Sequence, residues 1–248
     1  MRIARLLLPS MVAVGSLLAL ERDAQAGPVS FGIGPLVAPA GGNFLDKPEE
    51  KKYPINGQRV EVPPSYPGFG GFTSGFGLAV DLRLLGFVGL EIDAIKMSNK
   101  GKADIDYTVN GVKRSYELEI GHDAWHIPIL AKGVLPTPLV SPYLLAGMEL
   151  VRTSNATATI SENALPVAAR TDNYTFFTGG FGFEFKLPFP IPGLDSLRIP
   201  VSFRGSYFNI GNNIEDRAEY VSTQPQKITF DTRWKFQALA TLAVQAYF

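Results

Sequence analysis

The sequence predicts an all-β chain closed into an antiparallel transmembrane β-barrel of about eight strands, with short periplasmic turns and long extracellular loops. Three observations carry this. Past Gly27, apolar residues recur at every second position, the period of a strand with two unlike faces. The mean hydropathy of +0.08 is high and charged residues make up only 19%, yet past the N-terminus no apolar run reaches the ~18 residues of a membrane helix. Short and long connections also alternate along the chain, as the two ends of such a barrel require.

The N-terminus comes first. Arg2 and Arg5 precede an apolar run from Leu6 to Leu20, and Ala24-Gln25-Ala26 follows, so residues 1–26 read as a secretory signal cleaved after Ala26, with Ala24 and Ala26 flanking the cut. Its removal leaves 27–248 as a single barrel domain with 20 basic and 21 acidic residues. Such a neutral balance gives no field to recruit nucleic acid. Cysteine is absent, which excludes disulfides, thiol catalysis and cysteine zinc sites.

The strands follow in order. A Gly-rich first strand spans Val29 to Val37. Phe72, Phe76, Leu78, Val80, Leu82 and Leu84 then share one face, with Asp81 and Arg83 opposite. Val88, Leu90, Ile92 and Ala94 alternate with Glu91 and Asp93. Trp125, Ile127 and Ile129 oppose His126 and Lys132; Leu144, Ala146, Met148 and Leu150 oppose Glu149. Phe177, Phe181, Phe183 and Phe185 oppose Glu184 and Lys186, and Ile199, Val201 and Phe203 alternate with Arg198, Ser202 and Arg204. The last segment alternates from Ile228 to Phe248, with Trp234 on its apolar face. Short turns fall at Leu85–Phe87, Pro136–Pro142 and Pro190–Ser196; long connections fall at Gly41–Gly68, Ser98–His122, Thr153–Asn173 and Asn209–Gln226.

The second long connection contains a hairpin signal, Asn110-Gly111. Apolar positions are even before Gly121 (Tyr116, Leu118, Ile120) and odd after it (Trp125, Ile127), which predicts a bulge near Gly121. The hairpin from Asp104 to Ile120 is expected to stand above the membrane as a two-stranded flap, whose edge can receive an extracellular partner by strand addition.

A soluble barrel also alternates, but with its apolar face inward. Two features select the lipid-facing arrangement. A small closed interior has no room for so many phenylalanines, and the polar face is rich in small residues such as Gly75, Gly77, Gly180 and Gly182.

The run WHIPILAKGVLPTPLVSPYLLAGMEL from Trp125 has an inward strand, a proline-marked turn and a returning PYLLAG strand. In it the chain resembles the bacterial outer-membrane β-barrel superfamily, particularly its small porin-like members. The resemblance implies residence in the outer membrane of a Gram-negative-type cell envelope, in contact with its lipid. It also implies that Leu242, Val244, Ala246 and Phe248 form the C-terminal signal read by the outer-membrane assembly machinery. Ala246 departs from the bulkier residues usual at its position. Structural proteins, adhesins, small-solute channels and a few lipid-modifying enzymes share this architecture, so fold alone does not select an activity.

Chemistry is sparse. His122 and His126 lie about 13 Å apart along a strand, too far to share an ion, and no helix follows a glycine run to cradle phosphate. No metal, cofactor or catalytic residue is expected. The informative set is instead the inward charges: Asp81, Arg83, Glu91, Asp93, Lys132, Glu149, Glu184, Lys186, Arg198 and Arg204. Asp81 is expected opposite Glu91, with either Arg83 or Lys132 bridging them or one carboxyl holding a proton, and Glu184 opposite or diagonal to Arg204. Buried charges must pair or take water. Paired, they make an ionic plug and a structural or surface-interaction barrel; wetted, they line a narrow path for ions or small polar solutes.

Overall fold

The computed structural model describes residues 29–44, 51–55, 58–62, 70–109, 112–161, 167–188, 191–207, 218–221 and 227–248. The proposed signal segment, with Ala24 and Ala26, lies outside the described residues, as do Asn110 and Gly111.

Alternation produces strands, and the strands close. The barrel wall runs β1 (Val29–Phe44), β4 (Gly70–Leu84), β5 (Val88–Val109), β6 (Val112–Val134), β7 (Val140–Ile160), β9 (Tyr174–Leu187) and β10 (Ser196–Tyr207). It is completed by β13 (Phe236–Ala243) and β14 (Gln245–Tyr247), two halves of one strand interrupted at Val244. Every neighbouring pair is antiparallel, and the C-terminal strand bonds both β10 and β1, which in turn bonds β4. Among the described residues every wall strand is therefore paired on both sides at the level of the ionic layer, the condition for backbone in lipid. Two small sheets accompany the barrel: β2 (Lys51–Ile55) with β3 (Gln58–Val62), and β8 (Val167–Arg170) beside β12 (Lys227–Asp231) and β11 (Ala218–Val221).

The outer face carries Phe72, Phe76, Leu78, Leu82, Leu90, Ile129, Leu144, Phe181, Phe183, Phe185, Phe203 and Leu242, all exposed. Such a belt is stable only against hydrocarbon. Its inward neighbours, including Asp81, Arg83, Lys132, Glu184 and Ser202, are buried. The strands overshoot this belt. β5 has 22 residues, about 75 Å at ~3.4 Å each; at a ~40° tilt it rises far beyond the ~25 Å apolar band.

Four expectations are corrected here. First, β1 continues to Phe44 rather than ending near Val37. Second, β6 carries no bulge at Gly121: its pairing with β5 is unbroken from Val109↔Val112 through Asn99↔His122, and even positions face inward on both sides of Gly121. The irregularity lies in β7, where Gly121 pairs Thr157 but Asp123 pairs Ser154, and Asn155 takes φ 49°. Third, the Asp104–Ile120 hairpin is two-stranded, as expected, only above Lys102 and Leu118: it prolongs β5 and β6, and at its base β7 pairs β6 from Leu118↔Ile160 downward. Fourth, the C-terminal alternation is two elements. β12 belongs to the small sheet, residues 232–235 break the strand, and Trp234 is fully buried inside rather than facing lipid.

Candidate functional site: a layered lumen

Three layers fill the interior, and each follows from what its strands point inward. Nearest the short turns lies an ionic layer. Asp81 and Glu91 are direct cross-strand partners, and like charges so placed repel unless a cation enters. Lys132, reaching in from β6, puts Nζ 2.6 Å from Asp81 and 2.7 Å from Glu91. Arg83 donates to Asp81 at 2.8 Å and holds both oxygens of Glu184 across the barrel. Arg198 donates to Glu184 at 2.9 Å.

Arg204 does not meet Glu184, which is paired in register with Pro200. Its guanidinium spans the lumen to Asp93 and Glu91, each at 2.6 Å, while Nε donates to Ser202 at 2.9 Å. The pairing expected within one hairpin fails because Arg204 lies level with Gly180, four residues up the strand from Glu184. Four carboxylates thus meet four cations in one continuous chain of ion pairs that runs from Arg198 to Asp93. Lys186 stands half-buried beside Arg198 at the mouth.

Two tyrosines that the sequence reading passed over complete this layer. The Tyr247 hydroxyl donates to Asp81 at 2.8 Å and accepts from Arg83 at 2.9 Å, and its ring lies 4.0 Å from the Arg198 guanidinium carbon. Tyr143 presents its ring to Lys132 Nζ at 4.3 Å. Each ring lies across a glycine on the next strand: a Cβ on Gly32 would stand 2.6 Å from Tyr247, and one on Gly182 would stand 2.4 Å from Tyr143. The legible signal is a tyrosine on a polar face whose cross-strand neighbour is glycine.

The middle layer is a polar network. Glu149 is separate from the chain of ion pairs; it bonds His126 Nδ1 and receives Thr178 at 3.0 Å and Ser206 at 2.8 Å. Asn99 Nδ2 lies 3.3 Å from His126 Nε2 and 3.4 Å from His122 Nε2. The two histidines therefore converge on one amide, despite their separation along the strand. No group of three or more metal-ligating side chains occurs among the described residues. Neither histidine ring bonds a serine hydroxyl among them.

The upper layer is apolar. Trp234, Tyr174, Phe176, Tyr116, Leu118, Ile120 and Phe230 are buried there, and Trp234 stacks on His122 at 6.4 Å. Gly101 makes the slot, since a Cβ there would come within 2.3 Å of the indole. Outside, at the same height, polarity is reversed: Lys102 bonds Glu117 at 2.8 Å, which holds its ammonium above the usual lysine range. At the opposite end, Leu242, Val244 and Phe248 face outward and Ala246 is half-buried beside them.

No family model matches the chain. No curated protein matches it either. Among solved structures, the chain is similar to the outer membrane protein OprG from Pseudomonas aeruginosa, with 10% identity over 88% of this chain and 95% of that one, at a TM-score of 0.35. The barrel's own geometry carries the assignment: a closed eight-stranded wall with a lipid-facing apolar belt is an integral, outer-membrane-type β-barrel.

Proposed function

We propose that the protein is a closed structural barrel of the outer membrane that displays its long upper strands at the cell surface, without catalysis and without a cofactor. The observation that carries this reading is the state of Lys132 and Arg83, which are 0% and 1% exposed and each held by two carboxylates. An ion crossing the lumen must break those pairs, and breaking a buried pair costs about 3–5 kcal/mol. Planar-bilayer recording tests it: purified protein is expected to give no conductance above lipid leak, and steady unitary steps would reject the reading.

A narrow polar path is the second reading. It is supported by Asp93 Oδ1 and Gln245 Nε2, buried atoms for which the structure gives no hydrogen-bond partner and which water would satisfy. The same recordings decide between the two. At the other end, Phe248 with Leu242, Val244 and Ala246 serves the assembly machinery, and the extended β5–β6 hairpin is the surface offered to an extracellular partner.

A further inference from the structure

On the outer face of β5, lysines project at 96, 100 and 102, all exposed. The upper two face acids on β6: Lys102 lies 2.8 Å from Glu117, and Lys100 lies 3.9 Å from Glu119. Lys96 is different. Its cross-strand partner is Trp125, and the partner of Trp125 on β7 is Arg152, so Lys96, Trp125 and Arg152 form one row across three strands. Among the described residues neither Lys96 nor Arg152 has a carboxylate within ion-pair distance.

This row stands at the height where the outer face changes character. Below it come Ala94, Ile127 and Leu150; above it come Ser98, Asp123 and Ser154. It is therefore the headgroup level of the outer leaflet, where amphipathic aromatic and cationic side chains settle. Two strand spacings of ~4.8 Å put the Lys96 and Arg152 backbones about 10 Å apart, close enough for both side chains to close on one group above the indole. Beside them opens a groove of about 340 Å³, lined by Ala38, Ser74, Phe76, Lys96, Ser98 and Asp123. Phe76 gives it an apolar floor for an acyl chain. Asp123, within 3.5 Å of the Asn155 amide, is the carboxylate on its watery rim.

We infer that Lys96, Trp125 and Arg152, with the adjoining groove, form a docking site for a phosphate-bearing lipid of the outer leaflet. Two cations without acidic partners, an aromatic platform between them and an apolar floor match an anionic headgroup carried on hydrocarbon. Arg152 supplies the planar fork suited to phosphate oxygens, and Lys96 supplies the point charge.

Trp125 reports its own occupancy, since the other tryptophan, Trp234, is sealed inside the barrel. The barrel is reconstituted in vesicles containing brominated phosphatidic acid or brominated phosphatidylcholine at equal mole fraction, and quenching of its emission is compared. The phosphomonoester lipid is expected to quench at about thirtyfold lower mole fraction, from roughly 1 kcal/mol for each of the two cations at a surface. Lys96→Gln with Arg152→Gln should abolish that preference, and Lys100→Gln should retain it. Each single variant carries the same comparison should the double variant fail to show heat-modifiable mobility. Equal quenching by the two lipids, or a preference that survives in the variants, overturns the proposal. Millimolar inorganic phosphate is added in a further arm: persistence of the preference assigns the site to lipid, and loss of it assigns a free anion and overturns the lipid assignment.

Discussion

Removing the Arg204 side chain is the sharpest test of the ionic layer. Its guanidinium is bound by Asp93 and Glu91 at 2.6 Å each, and the residue is 5% exposed. After Arg204→Ala, Glu91 keeps Lys132 at 2.7 Å. Asp93 keeps no cation within 4.0 Å among the described residues, and its second oxygen already lacks a partner. One buried carboxylate is thus left alone, which costs about 3–5 kcal/mol. Loss of the arginine stem from a filled lumen adds to this.

Asp93→Asn added to Arg204→Ala removes the stranded charge and should recover roughly half of the loss, because an amide is far cheaper to bury than an ion. The relief partner is Asp93 across the barrel, not Glu184, which Arg83 and Arg198 hold. Equilibrium urea unfolding in lipid vesicles, followed by tryptophan emission and by heat-modifiable gel mobility, measures both variants. A loss under about 1 kcal/mol for Arg204→Ala would mean that water screens the pair as it does a surface bridge. The packed interior, and with it the structural reading, would then be refuted.

Further predictions read the other layers. Phe183→Arg, on the lipid face, should cost about 2–4 kcal/mol in the same assay; no loss would remove Phe183 from the apolar belt. Gly101→Val should expel the Trp234 indole from its slot, seen as a red-shifted emission newly open to iodide, whereas an unchanged spectrum would refute the slot. Gly32→Val should displace the Tyr247 ring and weaken the Arg83–Asp81 contact, costing about 1–3 kcal/mol as overpacking does, read by the same unfolding curves. Deleting Phe248 should lower the membrane-inserted fraction more than it lowers synthesis, and normal levels of heat-modifiable protein would count against an assembly role.

How much of this was legible in the sequence depends on the reach of each interaction. The wall was, because alternation is local. Phe181, Phe183 and Phe185 must lie opposite Glu184 on any strand, and closure then follows from the want of water around the strand edges. Cross-strand neighbours joined by a tight turn were legible too, as Asp81 and Glu91 show. Contacts across the lumen were not. That Arg204 meets Asp93 and Glu91 depends on barrel stagger, which no single hairpin records.

The misplaced bulge teaches a different lesson. Apolar residues on β6 pass from even positions (Tyr116, Leu118, Ile120) to odd ones (Trp125, Ile127, Ile129), and a change of parity ordinarily means that the chain has turned over. Here the chain does not turn over; its surroundings do. Even positions face inward along the described length of β6, and Glu117 and Glu119 stand on the same outer face as Trp125 and Ile129. Below Trp125 that face meets hydrocarbon, so apolar groups go out and Lys132 and His126 go in. Above it the same face meets water, so the acids go out and Tyr116, Leu118 and Ile120 go in, into the layer where Trp234 is also buried. One strand thus obeys the rule for a membrane barrel at one end and the rule for a soluble barrel at the other. The crossing point, where Trp125 sits between Lys96 and Arg152, marks the membrane surface from the sequence itself once the phase is known to be constant.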